Sequence, residues 1–540
     1  DVTHLKTVIS ELKQAAEHEV THLKTVIGEL KQAAEREEAH LKELIEGLQS
    51  RLPQVTDIPL VIARHLRALS KRALLVIAEG LGFLKRAYLA IRYHYSMDGW
   101  AGVRRFVHRR WVRWRDRNRA VNTPSQDHSN PPDHHRLPSL PEGPIDFAAS
   151  MSPELSIVIP TYGQHQMTAD CLRSIFAHPP TVSFEVMVVD DAYEAPFDPE
   201  ALGLAGVKVL RFESNQGFLR ACNSAVASAL GCRVLLLNND TQVLAGAIDA
   251  LWYTFDQFSE VGAVGAKLLY PNGVLQEAGG IIWRDGSGWN WGRDEDAGAP
   301  RFDYVREADY CSAAALMVDK ALWGQLGGFD ERFAPCYYED TDFCFSVRER
   351  GKRVLYQPAS RVIHFEGASH GTDTSSGLKA YQLSNQSAFV AKWGHRLANH
   401  APNGVSPERE CDRRAKARIL WVEACVLTPD QDSGSLRTFR LLRILIQLGC
   451  KVTFVADNLS AEEPYCQALR DEGIEVLHAP YVQSMSDYLR AKGDLYDVVV
   501  LCRHYIAIGL VDLLHECHPK TQVWFDTIDL HYLRLRRQYE

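Results

Sequence analysis

Hydrophobic positions change their spacing along this chain, and each change marks a new region. In residues 1–52 they recur at helical intervals, as Leu5, Ile9, Leu12 and Ala16, then as Leu23, Ile27, Leu30 and Ala34. The stretch that begins at Val2 returns almost unchanged at Val20, a period of 18 residues, or five turns at about 3.6 residues per turn. Such a stripe predicts a long helix in need of partners, a coiled coil, with a single helix folded back on the body as the alternative. From residue 151 the pattern becomes short continuous apolar runs that stop at polar clusters. Residues 155–159 stop at Pro160, Thr161 and Tyr162, residues 184–189 at Asp190 and Asp191, and residues 234–237 at Asn238, Asn239 and Asp240. Runs of this length without alternation predict buried parallel strands. Their carboxyl ends should share one rim, which is where open α/β sheets bind ligands. Turn formation alone is the plainer explanation of any one such cluster. A second series starts at residue 413, where strands near 417–423, 451–456, 475–478, 498–501 and 523–525 alternate with helical stretches in a Rossmann-like order.

Composition changes this picture in three places. A chain of 540 residues with 46% hydrophobic and 24% charged residues is globular and holds several domains. The net charge of −8 hides a basic segment at 53–120, where Arg104, Arg105, Arg109, Arg110, Arg113, Arg115 and Arg117 interleave with Trp100, Phe106, Trp111 and Trp114. Arg with Trp on amphipathic helices is the composition of an interfacial binder, so an anionic membrane surface is the expected partner. No nucleic-acid motif accompanies the charges, and nucleic acid is not expected. Residues 121–150, rich in Pro, His, Ser and Asp, read as a linker. The twelve cysteines form no Cys-x-x-Cys pair and fit reduced thiols. With no signal peptide and no apolar run of about 20 residues, the expected location is cytoplasmic, peripheral at the inner face of the cell membrane.

Further along come Asn215-x-Gly217, a Gly/Trp stretch at 286–292 read as a ligand-covering loop, Gly327-Gly-Phe-Asp, Tyr338-Glu-Asp-Thr-Asp-Phe opening a helix that runs to about Arg350, and His364 at the end of a strand. Taken in order with Ile159-Pro-Thr-Tyr, Val189-Asp-Asp and Leu237-Asn-Asn-Asp-Thr, these motifs resemble family 2 glycosyltransferases, most closely the bacterial rhamnosyltransferase and cell-surface polysaccharide branch. The resemblance covers residues 151–400. It implies a GT-A fold, a nucleotide-diphosphate sugar donor (UDP or dTDP), a divalent metal, Mn²⁺ or Mg²⁺, and inversion at the anomeric carbon. The acceptor implied is lipid-linked or polysaccharide. Residues 413–540 resemble the first half of a family 4, GT-B enzyme without its second half, so they are read as a partial domain.

The resemblance also distributes roles. Asp240 and His364 would hold the metal. Asp190 or Asp191 would accept from the base imide beside Pro160, Thr161 and Tyr162, with Asn215 and Gly217 completing the donor site. The usual Asp-x-Asp is here Asn238-Asn239-Asp240, so Asn238 would contact sugar or ribose and not metal. Asp340, after Glu339, would be the general base. A homo-oligomer through the coiled coil is expected. Two other functions stay open, a coiled-coil scaffold or chain-length ruler and a carbohydrate-binding pseudoenzyme.

Overall fold

The computed structural model describes residues 137, 139–148, 150–366 and 381–527. The expected coiled coil, the basic aromatic segment and most of the linker lie outside the described residues.

The three apolar runs are strands, each extended by a residue or two over its expected span. They are β1 (Leu155–Thr161), β2 (Phe184–Asp190) and, with β3 (Lys208–Arg211) between, β4 (Arg233–Leu237). β4, β1, β2 and β3 lie side by side, all parallel. Helix α1 (His165–Ala177) follows β1, and α2 (Phe218–Ser228) follows β3. After β4 come β5 (Thr241–Val243), α3 (Ala247–Gln257), β6 (Val261–Leu269) and β7 (Leu275–Glu277). β8 (Ala315–Asp319) then inserts antiparallel between β4 and β6. The later elements of the body are α4 (Lys320–Leu326), α5 (Glu339–Glu349), β9 (Arg353–His364) and α6 (Tyr381–Leu397).

Side chains alternate across this sheet at period two. Val158 and Val189 join a core with Leu219 and Phe343, whereas Ile157, Ile159 and Val188 join another with Leu172 and Ile248. Burial on both faces explains why the runs are continuously apolar. The segment read as a linker is partly built into the second of these cores. Ile145–Asp146 pairs with Leu204–Ala205, and Ile145 and Phe147 are buried.

Register decides what meets at the rim. β9 runs parallel to β6, so Ile363 sits opposite Leu269. β8 runs the other way, so Ala315 starts opposite Leu237. The ends of β1, β2, β4, β6 and β9 and the loop leading into β8 therefore share one edge.

Residues 413–527 form a second sheet from β10 (Arg418–Glu423), β11 (Lys451–Ala456), β12 (Glu475–Leu477), β13 (Val498–Cys502) and β14 (Gln522–Asp526). All are parallel, in the order β12-β11-β10-β13-β14. Helix α7 (Ser433–Gln447) follows β10, capped by Asp432, whose carboxylate accepts from the Ser435 amide at 2.8 Å. The five strands match the five expected runs within one or two residues at each end. Polar contacts tie this sheet to the body. The Arg470 guanidinium lies 3.3 Å from Asp303, Tyr481 donates to Asp296 at 2.7 Å, and the Lys451 ammonium sits over the Tyr304 ring. Among the described residues no helix is long and apolar enough to cross a membrane. All twelve cysteines are unpaired.

Candidate functional site

The rim carries its chemistry in three groups. The first stands at the ends of β1 and β2. Pro160 and Thr161 are inside β1 and buried, and Tyr162, just past it, is half exposed with its edge against Tyr193. Thr161 Oγ1 donates to the Gly163 carbonyl at 2.9 Å and shares a contact with Thr168. Asn239 donates to both threonines, at 3.3 and 3.2 Å. Asn239 thus holds the turn after β1 and faces into the protein. Asp190, fully buried, pairs with Arg211 directly across the strand and accepts from the Phe197 amide at 2.9 Å. Asp191 accepts from the Gln216 and Gly217 amides at 2.6 and 2.8 Å, while burial pushes its carboxyl above the ordinary range. Those two amides, with exposed Asn215 before them, open α2. Gly217 is required there: its φ is +84°, and a Cβ would lie 2.8 Å from Pro335.

The second group is the pair Asp240 and His364. Asp240 Oδ1 is buried and has no hydrogen-bond donor, yet His364 Nε2 lies 3.3 Å away. The other ring nitrogen explains the arrangement. His364 Nδ1 is 2.8 Å from Gln276 Oε1, and Gln276 Nε2 donates to Glu366 at 3.1 Å. The amide is therefore oriented by the carboxylate, its oxygen faces the ring, and Nδ1 carries the hydrogen. That leaves the Nε2 lone pair aimed beside an unpartnered carboxylate oxygen, a donor set that fits a divalent cation. Among the described residues no group of three or more His, Cys, Asp or Glu side chains could hold a metal ion, so a cation here would find two side-chain donors. Asn238, two residues before Asp240, also keeps a buried side-chain oxygen without a partner.

The third group is the start of α5. Tyr337 and Tyr338 have φ of 73° and 71°, a costly region for aromatic residues. They are held there by Asn385 on α6, whose amide nitrogen donates to the Phe333, Cys336 and Tyr337 carbonyls at 2.9, 3.0 and 2.9 Å, and by Tyr338 donating to the Gly286 carbonyl. This clamp aims Glu339 and Asp340 at the rim. Asp340 accepts from the Ala313 amide at 3.1 Å, the Thr341 amide at 2.6 Å and the Thr341 hydroxyl at 3.2 Å. Burial holds its carboxyl above the ordinary range. Glu339 is buried, its Oε2 has no donor, and burial reinforced by the Asp340 charge pushes it well up. Asp342 points away, to Lys392 at 2.8 Å and Trp393 at 2.7 Å on α6.

Three participants escaped sequence reasoning, namely Gln276, Glu277 and Asn385. The signal for the first two was a Gln-Glu pair just after the Pro271-Asn272-Gly273 turn, at the same rim. Nothing local marks Asn385, a polar residue on an amphipathic helix. The Gly/Trp stretch is not an open loop. Gly288–Asn290 pairs antiparallel with Gly280–Ile282, and Trp291 is buried.

Residues 156–324 match the family model described as glycosyl transferase family 2. The uncharacterized protein y4gI of Sinorhizobium fredii is 30% identical over 277 residues, which cover 48% of this chain and 30% of that protein. The O-antigen biosynthesis protein RfbC of Myxococcus xanthus is 28% identical over 247 residues, 42% of this chain and 18% of its own. The N-acetylglucosaminyl-diphospho-decaprenol L-rhamnosyltransferase of Mycobacterium tuberculosis is 30% identical over 162 residues, 28% of this chain and 52% of its own. The chain spans about half or less of the length of each. Among solved structures, GalNAc-T7 with UDP, GalNAc and Mn²⁺ superposes with a TM-score of 0.38 at 16% identity, covering 46% of this chain and 50% of that one. The mannosyltransferase PcManGT of Pyrobaculum calidifontis, in complex with GDP-Man and Mn²⁺, gives 0.32 at 17% identity, covering 48% and 68%. The match to the glycosyl transferase family 2 model thus spans the α/β sheet from β1 to β8.

Proposed function

We propose that the body is an inverting, metal-dependent glycosyltransferase that moves a sugar from a UDP or dTDP donor to a bacterial surface polysaccharide or its lipid-linked precursor. Rhamnose is the first sugar to test, because two of the relatives carry O-antigen and rhamnosyltransferase names. One observation carries the reading. A buried, unpartnered carboxylate oxygen of Asp240 faces a ring nitrogen of His364 whose opposite nitrogen is already occupied.

Making a glycosidic bond from a nucleotide sugar requires that negative charge leave with the diphosphate and that the acceptor hydroxyl lose a proton. A divalent cation between Asp240 and His364, Mn²⁺ or Mg²⁺, would neutralise the first. Asp340 would take the proton, and a carboxyl raised towards neutrality suits a general base. Thr161, Tyr162, Asp191 and the amides after Asn215 would hold the nucleotide, and Asn238 would meet its sugar. We further read residues 413–540 as similar to the first half of a GT-B fold, either a piece of a second transferase or a docking module. Residues 1–52 would oligomerise the chain, and residues 53–120 would hold it to the inner face of the membrane.

The test is a panel of UDP- and dTDP-sugars with Mn²⁺, with and without chelator. Metal-dependent turnover is expected, and Asp240→Asn should weaken donor binding. Donor binding without turnover under every condition would favour the carbohydrate-binding pseudoenzyme, a reading that the unpartnered Asn238 oxygen in place of an acid supports.

A further inference from the structure

Resting on that transferase reading, we propose that Glu277 is a positioning residue for the acceptor, working as an uncharged acid beside the base Asp340. Glu277 ends β7 and is 1% exposed. Its Oε1 accepts from the Ser312 amide at 2.9 Å, and Asp340 Oδ2 accepts from the very next amide, Ala313, at 3.1 Å. Consecutive amides of one loop therefore hold two carboxyl groups side by side. Like charges held so closely in a buried site do not both ionise.

Hydrogen bonding decides which one does. Asp340 takes three donors and is partly open to the rim. Glu277 takes the Ser312 amide and is the more buried of the two. Charge is thus favoured on Asp340, and the proton stays on Glu277. Burial pushes the Glu277 carboxyl up to about 8, the Ser312 amide opposing and the Asp340 charge adding. The other titratable groups near it are Arg293, which is bound to Glu366 at 2.6 Å, Tyr310, which donates to Asn290 at 2.9 Å, and the buried Cys311, Cys344 and Tyr356.

A protonated carboxyl offers both a donor and an acceptor, which is what a sugar hydroxyl pairs with; an ionised one only accepts. In the transfer, the acceptor hydroxyl gives its proton to Asp340 as its oxygen bonds to the anomeric carbon. The bond from that carbon to the diphosphate breaks, and the diphosphate leaves with the electron pair. Glu277 keeps its own proton throughout and holds the acceptor in line.

The experiment uses the full chain, the UDP- and dTDP-sugar panel, and p-nitrophenyl hexosides as acceptor probes. Glu277→Gln keeps a donor and an acceptor and should stay within about threefold of the parent, whereas Glu277→Ala loses both. One or two hydrogen bonds lost is about a tenfold effect, expected in the acceptor KM with the donor KM unchanged. Transfer by the parent should also fall as pH rises through about 8, and this limb should vanish in Glu277→Gln. A Glu277→Gln variant as damaged as Glu277→Ala, or one that keeps the limb, overturns the assignment. So does an unchanged acceptor KM in a folded Glu277→Ala. Should the alanine variant not fold, the glutamine variant and the pH limb decide. A parent chain that turns over no donor sinks the transferase reading and this assignment with it; donor turnover that ignores Glu277 sinks this assignment alone.

Discussion

Two parallel sheets in this chain each present a rim at their carboxyl ends, and the two rims treat their acids differently. At the second sheet every acid named here has a partner. Asp526 takes two bonds from Arg437, at 2.7 and 3.1 Å, Asp432 caps α7, and Glu423 accepts from the Ala424 amide with Arg503 nearby. At the body, Asp240 Oδ1 and Glu339 Oε2 are buried without a donor, and Glu277 and Asp340 crowd one loop. Unmet polar groups in a buried place cost stability and persist where a ligand completes them. The same strand-end geometry thus leaves buried acids unmet in one sheet and pairs them in the other.

The largest effect should separate the rims outright. Asp340→Asn keeps size and one accepting oxygen but removes the proton acceptor, and base catalysis is worth roughly 10²–10⁴-fold, so transfer should drop by that much with donor binding near normal. Asp526→Asn should leave transfer almost untouched. Equal losses from the two would erase the distinction.

A second change works behind the proposed cation site. Gln276→Ala frees the His364 ring, and such partners are typically worth about 10–100-fold in metal affinity. Calorimetric titration of Mn²⁺ into the nucleotide-bound protein reads it directly. Unaltered affinity would remove the case for the Asp240 and His364 pair.

Asp342→Asn sharpens the contrast within one helix. Asp342 lies two residues from Asp340 but joins Lys392 and Trp393, so its loss should appear in stability, at about 1–3 kcal/mol, and hardly in catalysis. A thermal melt alongside an activity assay distinguishes the two.

Stability against pH tests the crowded acids. The folded value of Glu277 lies above its ordinary 4.5, at about 8, so the folded chain retains a proton that the unfolded chain releases. Its contribution is full below about 4.5 and is lost as pH rises through about 8. Glu339 and Asp340 are shifted in the same direction. The melting temperature should therefore fall over that range, and less steeply in Glu277→Gln. A flat profile would mean that these acids are not crowded. The smallest effect belongs to the second rim, where Asp526→Asn breaks a pair whose arginine is half exposed and should cost at most about 1 kcal/mol.

Strand identity was legible along the chain because burial on both faces leaves an unbroken apolar run, and the run must stop where the backbone reaches the polar edge. That is why β1, β2, β4 and the five strands of the second sheet fall within a residue or two of their expected places, as the helix α5 does. The order of motifs also pointed to the family whose model matches residues 156–324. Local pattern could not say which acid faces the rim and which turns inward. Asp190 and Asn239 look like their neighbours in sequence, yet one pairs with Arg211 across a strand and the other holds Thr161 and Thr168. Likewise Gln276 and Glu277 gain their meaning only when antiparallel pairing of β7 with β6 carries them beside His364 and Asp340. Asn385 becomes a clamp only because α6 packs against the strained turn before α5. A sequence sets polarity and period residue by residue, whereas partners, burial and the competition between neighbouring charges arise from contacts between segments distant in the chain, and those only the tertiary structure decides.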